Sequence, residues 1–374
     1  MTYRVESLIS ARLFVVPQYA AGRIFFLSNQ SGQLSLYSMK FGGSVPEPLL
    51  PPNIALQNPH LIGGLSFFVF PKVNKILVMI DQDGDENYQP MLIPIQGGFP
   101  EPAFKNFFAK YRVHLGECDA EKNIVYLDAE RRDTALIETY RGDLKTGKLT
   151  KIAESEFGLD VAAHNKKHAR LLLNTGYTVG DGILYLWSGK KNKVLYGKPL
   201  EDRTEGESIP LNGLGSAVFS PSEKGALVIS SVFEDTYGLG YIDLRKPGRM
   251  EQVQLRGVQH EGVGEMVELA HLIKDRYLVT FNIDGCSWVY EAVFNERKRL
   301  MTLKYALVGA SPLADGMLER VHYDPAEDIF TLSFSTATSP TQIYTVEGRK
   351  RKQVTLHTNE KILGIADEHL SKGE

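Results

Sequence analysis

Ser287 is the residue whose surroundings come nearest to those of a catalytic serine. In α/β-hydrolases the nucleophile lies in a Gly-x-Ser-x-Gly turn between a strand and a helix. The run Gly285-Cys-Ser-Trp-Val289 lacks the second glycine and continues into a strand-like segment. Because the tight turn needs that small residue, we expect Ser287 to be structural. The chain also lacks Gly-x-Gly-x-x-Gly and phosphate-binding motifs, so the sequence predicts no catalytic residue and no cofactor.

The acidic run at residues 81–86 resembles a calcium-binding loop at first sight. An EF-hand loop needs glycine at its sixth position and a bidentate glutamate at its twelfth, and these positions hold Glu86 and Leu92. We therefore interpret the run as a hairpin turn at Asp83-Gly84. A different metal site remains a weaker alternative, and its candidate ligands are Asp81, Asp83 and Asp85.

His164 and His168 have the spacing of His-x-x-x-His metal pairs. They fall in a polar turn before an apolar run, and no third ligand is near in sequence, so we expect solvent-exposed turn histidines. Cys118 and Cys286 are too few for a disulfide framework and have no basic neighbour that would activate a thiolate. We expect two reduced thiols in a cytoplasmic protein.

The charged residues give no sign of a nucleic-acid or membrane partner. The formal net charge of the 374 residues is −3. The basic clusters 190–193, 297–299 and 349–352 recur at one position of a repeat, so we interpret them as solvated turns. The first ten residues do not resemble a signal peptide, and no apolar run reaches the length of a membrane-spanning helix.

Seven short apolar runs recur along the chain at a nearly constant interval. They begin at residues 23, 75, 123, 170, 226, 276 and 328. A strand and a polar turn precede each run, and two further strands follow it, the last one more polar. A steady period of this length is typical of a repeat architecture.

Four short strands per repeat describe the blade of a propeller. The sequence therefore predicts an all-β protein, a seven-bladed β-propeller of four-stranded antiparallel blades, over residues 1–357. A β-sandwich would not repeat a four-strand unit seven times. The strongest helical pattern, at residues 101–110, is short and falls in a linker. The predicted blades lie near 12–52, 60–104, 111–153, 158–200, 214–256, 266–308 and 317–357.

The second repeat carries the most informative motif, Asp81-Gln-Asp-Gly-Asp-Glu-Asn-Tyr88 followed by Gly97-Gly98. It resembles a turn in an early blade of the prolyl oligopeptidase family of serine peptidases, in its acylaminoacyl-peptidase and dipeptidyl-peptidase-like bacterial branch. Ser339-Pro-Thr-Gln-Ile-Tyr344 is similar to a strand near the end of the propeller in that family. Residues 358–374 look like the linker that precedes its α/β-hydrolase domain.

The resemblance implies a non-catalytic propeller that caps and gates a serine peptidase. Its partner would be a C-terminal α/β-hydrolase domain in cis, and its substrates would be peptides. None of the matching positions is catalytic in the family. Two alternatives stay open: a free-standing propeller that acts as a protein-interaction scaffold, and a propeller enzyme with a metal in its central channel, held by Asp81, Asp83 and Asp85.

Overall fold

The chain folds into seven small β-sheets, as the repeat predicts. The structure is a computed structural model, and it describes residues 5–61, 63–81, 84–189, 191–348, 353–365 and 367–372. The sheets follow one another along the sequence. Five of them contain four antiparallel strands in sequence order, and the second and the sixth contain five strands. The protein is therefore an all-β, seven-bladed β-propeller.

The first three sheets occupy the N-terminal part of the chain. The first contains β1 to β4, at Val15–Ala20, Arg23–Ser28, Ser35–Lys40 and Glu47–Pro48. The second contains β5 to β9, at Ala55–Leu56, Phe67–Phe70, Lys75–Asp81, Gln89–Pro94 and Glu101–Pro102. The third contains β10 to β13, at Tyr111–Asp119, Ile124–Arg131, Ile137–Asp143 and Lys148–Ser155.

Four more sheets complete the fold. The fourth contains β14 to β17, at Asp160–His164, Leu171–Gly176, Gly182–Trp187 and Asn192–Tyr196. The fifth contains β18 to β21, at Leu214–Phe219, Gly225–Ser230, Gly238–Asp243 and Glu251–Gln252. The sixth contains β22 to β26, at Gln254–Arg256, Gly264–Ile273, Arg276–Ile283, Cys286–Asn295 and Leu300–Val308. The seventh contains β27 to β30, at Gly316–Asp324, Ile329–Thr336, Ser339–Glu347 and Val354–Leu356.

Two sheets depart from the four-strand plan. In the second sheet, β5 and β6 both pair with β7, so they are two parts of one first strand interrupted by residues 57–66. In the sixth sheet, β22 adds a fifth strand by pairing parallel with β26. Neither feature follows from the hydrophobic period, because both segments are short and partly polar.

The predicted apolar runs are confirmed as the second strands of the seven sheets. The first residue of each strand lies within one residue of the predicted start. β19 is buried at every position, and β2 at all but its first. Burial on both faces explains why these runs are continuously apolar instead of alternating.

The segment at residues 101–110 is not an α-helix. Glu101 and Pro102 pair with β8 as the fourth strand of the second sheet, and a 3-10 helix follows at 103–106. Phe104 and Lys105 have positive φ angles, which an α-helix does not allow. The side chains of Phe104 and Phe108 are buried, so tertiary packing overrides the weak helical pattern.

The chain divides into two compact units. The first unit comprises residues 1–125, 142–149 and 311–374, and the second comprises 126–141 and 150–310. In the first unit β1 lies against β27 and β28, and Phe14, Phe26 and Ile343 share one apolar cluster. In the second unit the first strands contact one another in turn, β14 with β18 and β18 with β23.

Only two α-helices occur in the described part of the chain. They are α1 at Val5–Ile9 and α2 at Asp367–Lys372. Neither has the length or the apolar composition that a membrane crossing requires.

Candidate functional site

Ser287 is a structural residue in a hairpin. β24 ends at Ile283 and β25 begins at Cys286, so the connection is the two-residue turn Asp284-Gly285. Both turn residues have positive φ angles, which is the geometry of a type I′ hairpin and the reason for glycine here. Ser287 follows on β25, pairs with Asn282 and is buried. The strained strand-to-helix turn of a hydrolase nucleophile is therefore not formed at this position.

The acidic loop lies between the second and third strands of the second sheet, as predicted. β7 stops at Asp81 and β8 resumes at Gln89, so the connection is longer than a tight hairpin. Asp81 accepts a hydrogen bond from the Glu86 backbone N–H at 3.2 Å, and Asp85 accepts one from the Asn87 N–H at 2.9 Å. These two carboxylates thus hold the loop backbone. Asp83, the third candidate ligand, lies outside the described residues.

The expectation that His168 is exposed to solvent is wrong. Its side chain is buried, and its ring stacks on that of His164 with the centroids 4.0 Å apart. His164 ends β14 and is half-buried. The turn between β14 and β15 folds back on itself, so a spacing of four residues brings the two rings into contact.

Arg299 also departs from its predicted role as a solvated turn residue. Its guanidinium carbon lies 3.6 Å from the centre of the Tyr241 ring, and its Nε donates to Glu251 at 3.0 Å. Arg297 and Lys298 belong to a 3-10 helix between β25 and β26, as the third-to-fourth-strand position predicts. Lys190 and the cluster 349–352 lie outside the described residues. A guanidinium packed on an aromatic ring is a structural contact within the second unit.

The two cysteines are unpaired thiols. Burial raises the pKa of Cys118 well above its usual range, and the nearby carboxylates of Glu117 and Asp119 act in the same direction. A thiol with a raised pKa is a poor nucleophile at neutral pH.

The two ends of the folded chain meet at one place in the first unit. In a four-stranded antiparallel sheet the first strand runs up and the fourth runs down, so the first strand begins at the same end of the sheet at which the fourth strand finishes. The segment before β1 and the segment after β30 therefore leave their sheets at corresponding ends. The backbone N–H of Arg12 donates to Glu360 Oε1 at 3.0 Å, which joins the two segments directly.

Hydrogen bonds fix the segment that follows β30. Gln342 on β29 donates from Nε2 to the Glu360 carbonyl at 2.6 Å and accepts from the Glu360 N–H at 3.1 Å. The Thr358 hydroxyl donates to the same amide oxygen at 2.7 Å. Residues 358–360 are therefore attached to the last sheet, and the region predicted as a linker also contains α2.

Three large apolar side chains are exposed where these ends meet. Val5 and Ile9 of α1 are 69% and 75% exposed, and Leu363 is 72% exposed. The Ser7 hydroxyl lies close to the backbone of Gly364, so α1 and this segment are neighbours. We call Val5, Ile9 and Leu363 the terminal surface.

The first strands of the second unit carry exposed acidic side chains. These are Asp160 on β14 and Glu265 and Glu268 on β23, and we call them the acidic edge. The strands β14, β18 and β23 contain no lysine or arginine. Fixed charges of one sign along a shared edge produce a potential that attracts cations. This part of the second unit therefore favours positively charged groups.

Asp128 on β11 is a half-buried neighbour of this acidic edge. Burial raises its pKa to about 8, the charge of Asp160 acts in the same direction, and a hydrogen bond from Thr139 opposes both. Asp160 is accessible to solvent but surrounded by protein, and the loss of solvation raises its pKa as well. Asp128 is therefore largely protonated at pH 7.

Sequence reasoning missed both the terminal surface and the acidic edge. The exposed residues of the terminal surface come from opposite ends of the chain, and the carboxylates of the acidic edge lie on strands about 100 residues apart. The sequence did contain one signal for the acidic edge, because the first strands β14 and β23 carry Asp or Glu and no Lys or Arg. This signal can be used only when it is known which strand of each repeat lies innermost.

Comparison with solved structures places the fold among known proteins, whereas no family model and no curated protein matches the sequence. A prolyl endopeptidase, one of two in which inter-domain dynamics has a role in catalysis and specificity, matches with a TM-score of 0.67 and 13% identity. The match covers 96% of this chain and 51% of that one. A puromycin hydrolase matches with a TM-score of 0.65 and 10% identity over 96% of this chain and 56% of its own. The chain thus spans about half the length of either protein and shares its fold with that half.

Proposed function

We propose that this chain is the propeller domain of a serine peptidase of the prolyl oligopeptidase family. In this role it covers the active site of an attached α/β-hydrolase domain and admits peptides while excluding folded proteins. Ser287, the serine whose surroundings come nearest to a nucleophile motif, lies in a buried hairpin strand, and the nucleophile would come from the hydrolase domain. Its contribution to the reaction is selection of the substrate by size.

The observation that carries the proposal is the extent of the structural match. Nearly all of this chain aligns with about half of a prolyl endopeptidase and of a puromycin hydrolase. The other half of each protein has no counterpart in these 374 residues. A hydrolase domain of the usual size would account for it.

The terminal surface supports the same role. A segment that continues past α2 would begin shortly after the exposed Leu363, and Val5 and Ile9 of α1 are exposed as well. A domain attached there would find an apolar surface within reach, and burial of these side chains would stabilise the contact by ~1 kcal/mol or more for each. We therefore propose the terminal surface as the place where the hydrolase domain docks.

The acidic edge of the second unit bears on the substrate. Asp160, Glu265 and Glu268 would attract peptides that carry free amines or basic side chains. The unpaired cysteines fit a reducing compartment, and we propose the cytoplasm as the location.

Hydrolysis of peptides of increasing size by the protein that joins this chain to its hydrolase domain tests the gating role. We expect cleavage of short peptides, and no cleavage of a folded domain that carries the same target sequence in a surface loop. The same domain should be cleaved once it has been unfolded and cut into peptides. Cleavage of the folded domain at a rate comparable to that of the peptide would overturn the proposal and favour a scaffold role for the propeller.

A further inference from the structure

One end of the fourth, fifth and sixth sheets is strongly basic. In an antiparallel sheet whose strands follow the sequence, the connection from the first strand to the second and that from the third to the fourth lie at the same end. In these three sheets the six such connections are residues 165–170, 188–191, 220–224, 244–250, 274–275 and 296–299. They contain thirteen lysines or arginines and three aspartates or glutamates, a net charge of +10 in a chain whose formal net charge is −3. We call these six connections the basic end.

The connections at the other end of the same sheets have the opposite charge. They are residues 156–159, 177–181, 197–213, 231–237, 257–263 and 284–285. They contain ten aspartates or glutamates and two lysines or arginines, a net charge of −8. The small charge of the whole chain therefore conceals a strong separation of charge within the second unit.

Hydrogen bonds between sheets place the loops of the basic end side by side. The Lys166 backbone N–H donates to Glu223 Oε1 at 2.9 Å, which joins the fourth sheet to the fifth. The Ser222 backbone N–H donates to Glu296 Oε2 at 3.2 Å, which joins the fifth sheet to the sixth. The basic turns, which the sequence presents as separate clusters, thus belong to one surface that extends across three sheets.

Lysines supply most of the charge that faces solvent at the basic end. Ten of its described basic side chains are exposed, and seven of these are lysines. Two of the exposed arginines have carboxylate partners, since Arg245 lies 2.9 Å from Asp243 and Arg249 lies 3.7 Å from Glu251. Of the three acidic residues at this end only Asp275 is exposed. The solvent-facing charge is therefore almost entirely positive.

The composition of the basic end limits the kind of partner that it fits. Its described residues expose no aromatic or large aliphatic side chain. Protein–protein interfaces are built around such side chains, and proteins bind single-stranded nucleic acid by stacking its bases on aromatic rings. Lysine is a hydrated point charge without the planar fork of arginine, which binds two oxygens at once. The basic end thus fits a partner recognised by charge alone, and its spread over three sheets matches a plane of negative charge better than a rod-shaped duplex.

We propose that the basic end binds the surface of a membrane that contains anionic phospholipids. A negatively charged leaflet attracts clustered lysines that come within a Debye length of it. In this orientation the acidic connections at the other end of the sheets face away from the lipid. The binding is peripheral and reversible, because the described residues of the basic end offer no large exposed apolar side chain to enter the hydrocarbon.

Sedimentation of the chain with lipid vesicles tests the proposal. At ~50 mM NaCl we expect it to bind vesicles made of equal amounts of phosphatidylcholine and phosphatidylglycerol, and to stay in solution with vesicles of phosphatidylcholine alone. Raising NaCl to ~500 mM should weaken the binding at least 10-fold, because salt screens the attraction between exposed charges.

Two double variants with the same change in net charge separate the basic end from the chain as a whole. Lys167→Glu with Lys246→Glu alters the basic end and should weaken binding to the anionic vesicles at least 10-fold. Lys110→Glu with Lys304→Glu is the matched control, at exposed positions outside the basic end, and should weaken it less than 3-fold. All four positions are exposed, so the melting temperatures should stay within ~2 °C of the wild type and confirm that both variants fold.

Several results would overturn the proposal. They are equal binding to anionic and neutral vesicles, no sedimentation with anionic vesicles at the lower salt concentration, and equal losses of affinity in the two double variants. An RNA duplex of ~20 base pairs, added as a competitor, distinguishes nucleic acid from lipid. Tighter binding to the duplex than to the anionic vesicles would assign the basic end to nucleic acid and contradict a membrane partner.

Discussion

The side-chain amide of Gln18 is hydrogen bonded to the backbone of Val69, with its Oε1 accepting from the Val69 N–H at 3.2 Å. Its Nε2 donates to the Phe67 carbonyl at 3.0 Å. Gln18 lies on β1 and is buried, and both partners lie on β6. One side chain thus joins the first strands of two neighbouring sheets and completes backbone hydrogen bonds that would otherwise lack partners.

Replacing this amide should destabilise the first unit. Gln18→Leu keeps the approximate volume but leaves the Phe67 carbonyl and the Val69 N–H buried without partners, so we expect the free energy of unfolding to fall by ~2–4 kcal/mol. Urea denaturation followed by fluorescence measures the change. Gln33→Leu, at an exposed position, is the control and should alter stability by less than ~0.5 kcal/mol. Equal stability of Gln18→Leu and the wild type would show that the amide contributes nothing.

These contacts also show how far sequence reasoning extends. The seven second strands were predictable because continuous burial leaves a continuous apolar run, which depends on local sequence alone. Gln18 was not predictable, since its partners lie about 50 residues away. Arg299 was misinterpreted for the same reason, because the Tyr241 ring that it covers belongs to another repeat. A spacing of four residues predicted neither the burial nor the stacking of the histidine pair, which depend on how the turn folds back.

Asp128 should make stability fall as pH rises. Its pKa is raised from 3.8 to about 8 in the folded state, so between these values the folded protein binds one more proton than the unfolded chain. The contribution of Asp128 to the free energy of unfolding is fully present below pH ~4 and is lost as the pH rises through 8. Asp128→Asn removes the ionisation, so we expect it to be more stable than the wild type at pH 8–9, with a difference that shrinks toward pH 4. The melting temperatures of both proteins across this pH range measure the effect. A difference in melting temperature that stays constant with pH would contradict it.

Two histidines, His322 on β27 and His357 directly after β30, should act in the opposite direction. Burial lowers the pKa of His322 and of His357 to about 4, and the charge of Arg320 adds to the effect at His322. Between pH 6.5 and 4 the unfolded chain binds more protons than the folded one, so stability falls on acidification by up to ~1.4 kcal/mol per pH unit for each histidine. The variant His322→Gln should lose stability less steeply from pH 6.5 to 4.5 than the wild type. The free energy of unfolding of both proteins is measured by urea denaturation at several pH values. An identical dependence of this free energy on pH would contradict the assignment.

Charged substitutions on the terminal surface should separate docking from folding. Ile9→Glu and Leu363→Glu alter exposed positions, so we expect the stability of the chain to change by less than ~0.5 kcal/mol. In the protein that carries the hydrolase domain, they should loosen the contact and raise the rate of limited proteolysis between the domains at least several-fold. Val179→Glu is the control, because Val179 is 96% exposed in the loop between β15 and β16 of the second unit. If the two terminal-surface variants are cut between the domains at the same rate as the control variant, docking at the terminal surface is ruled out.

The central claim, that this propeller belongs to a serine peptidase, is tested most directly by sequencing the coding DNA for about 300 codons beyond Glu374, enough for one hydrolase domain. We predict an open reading frame with a Gly-x-Ser-x-Gly motif followed by the Asp and His of a catalytic triad. A stop codon directly after Glu374 would contradict the claim and leave the protein as a free-standing propeller.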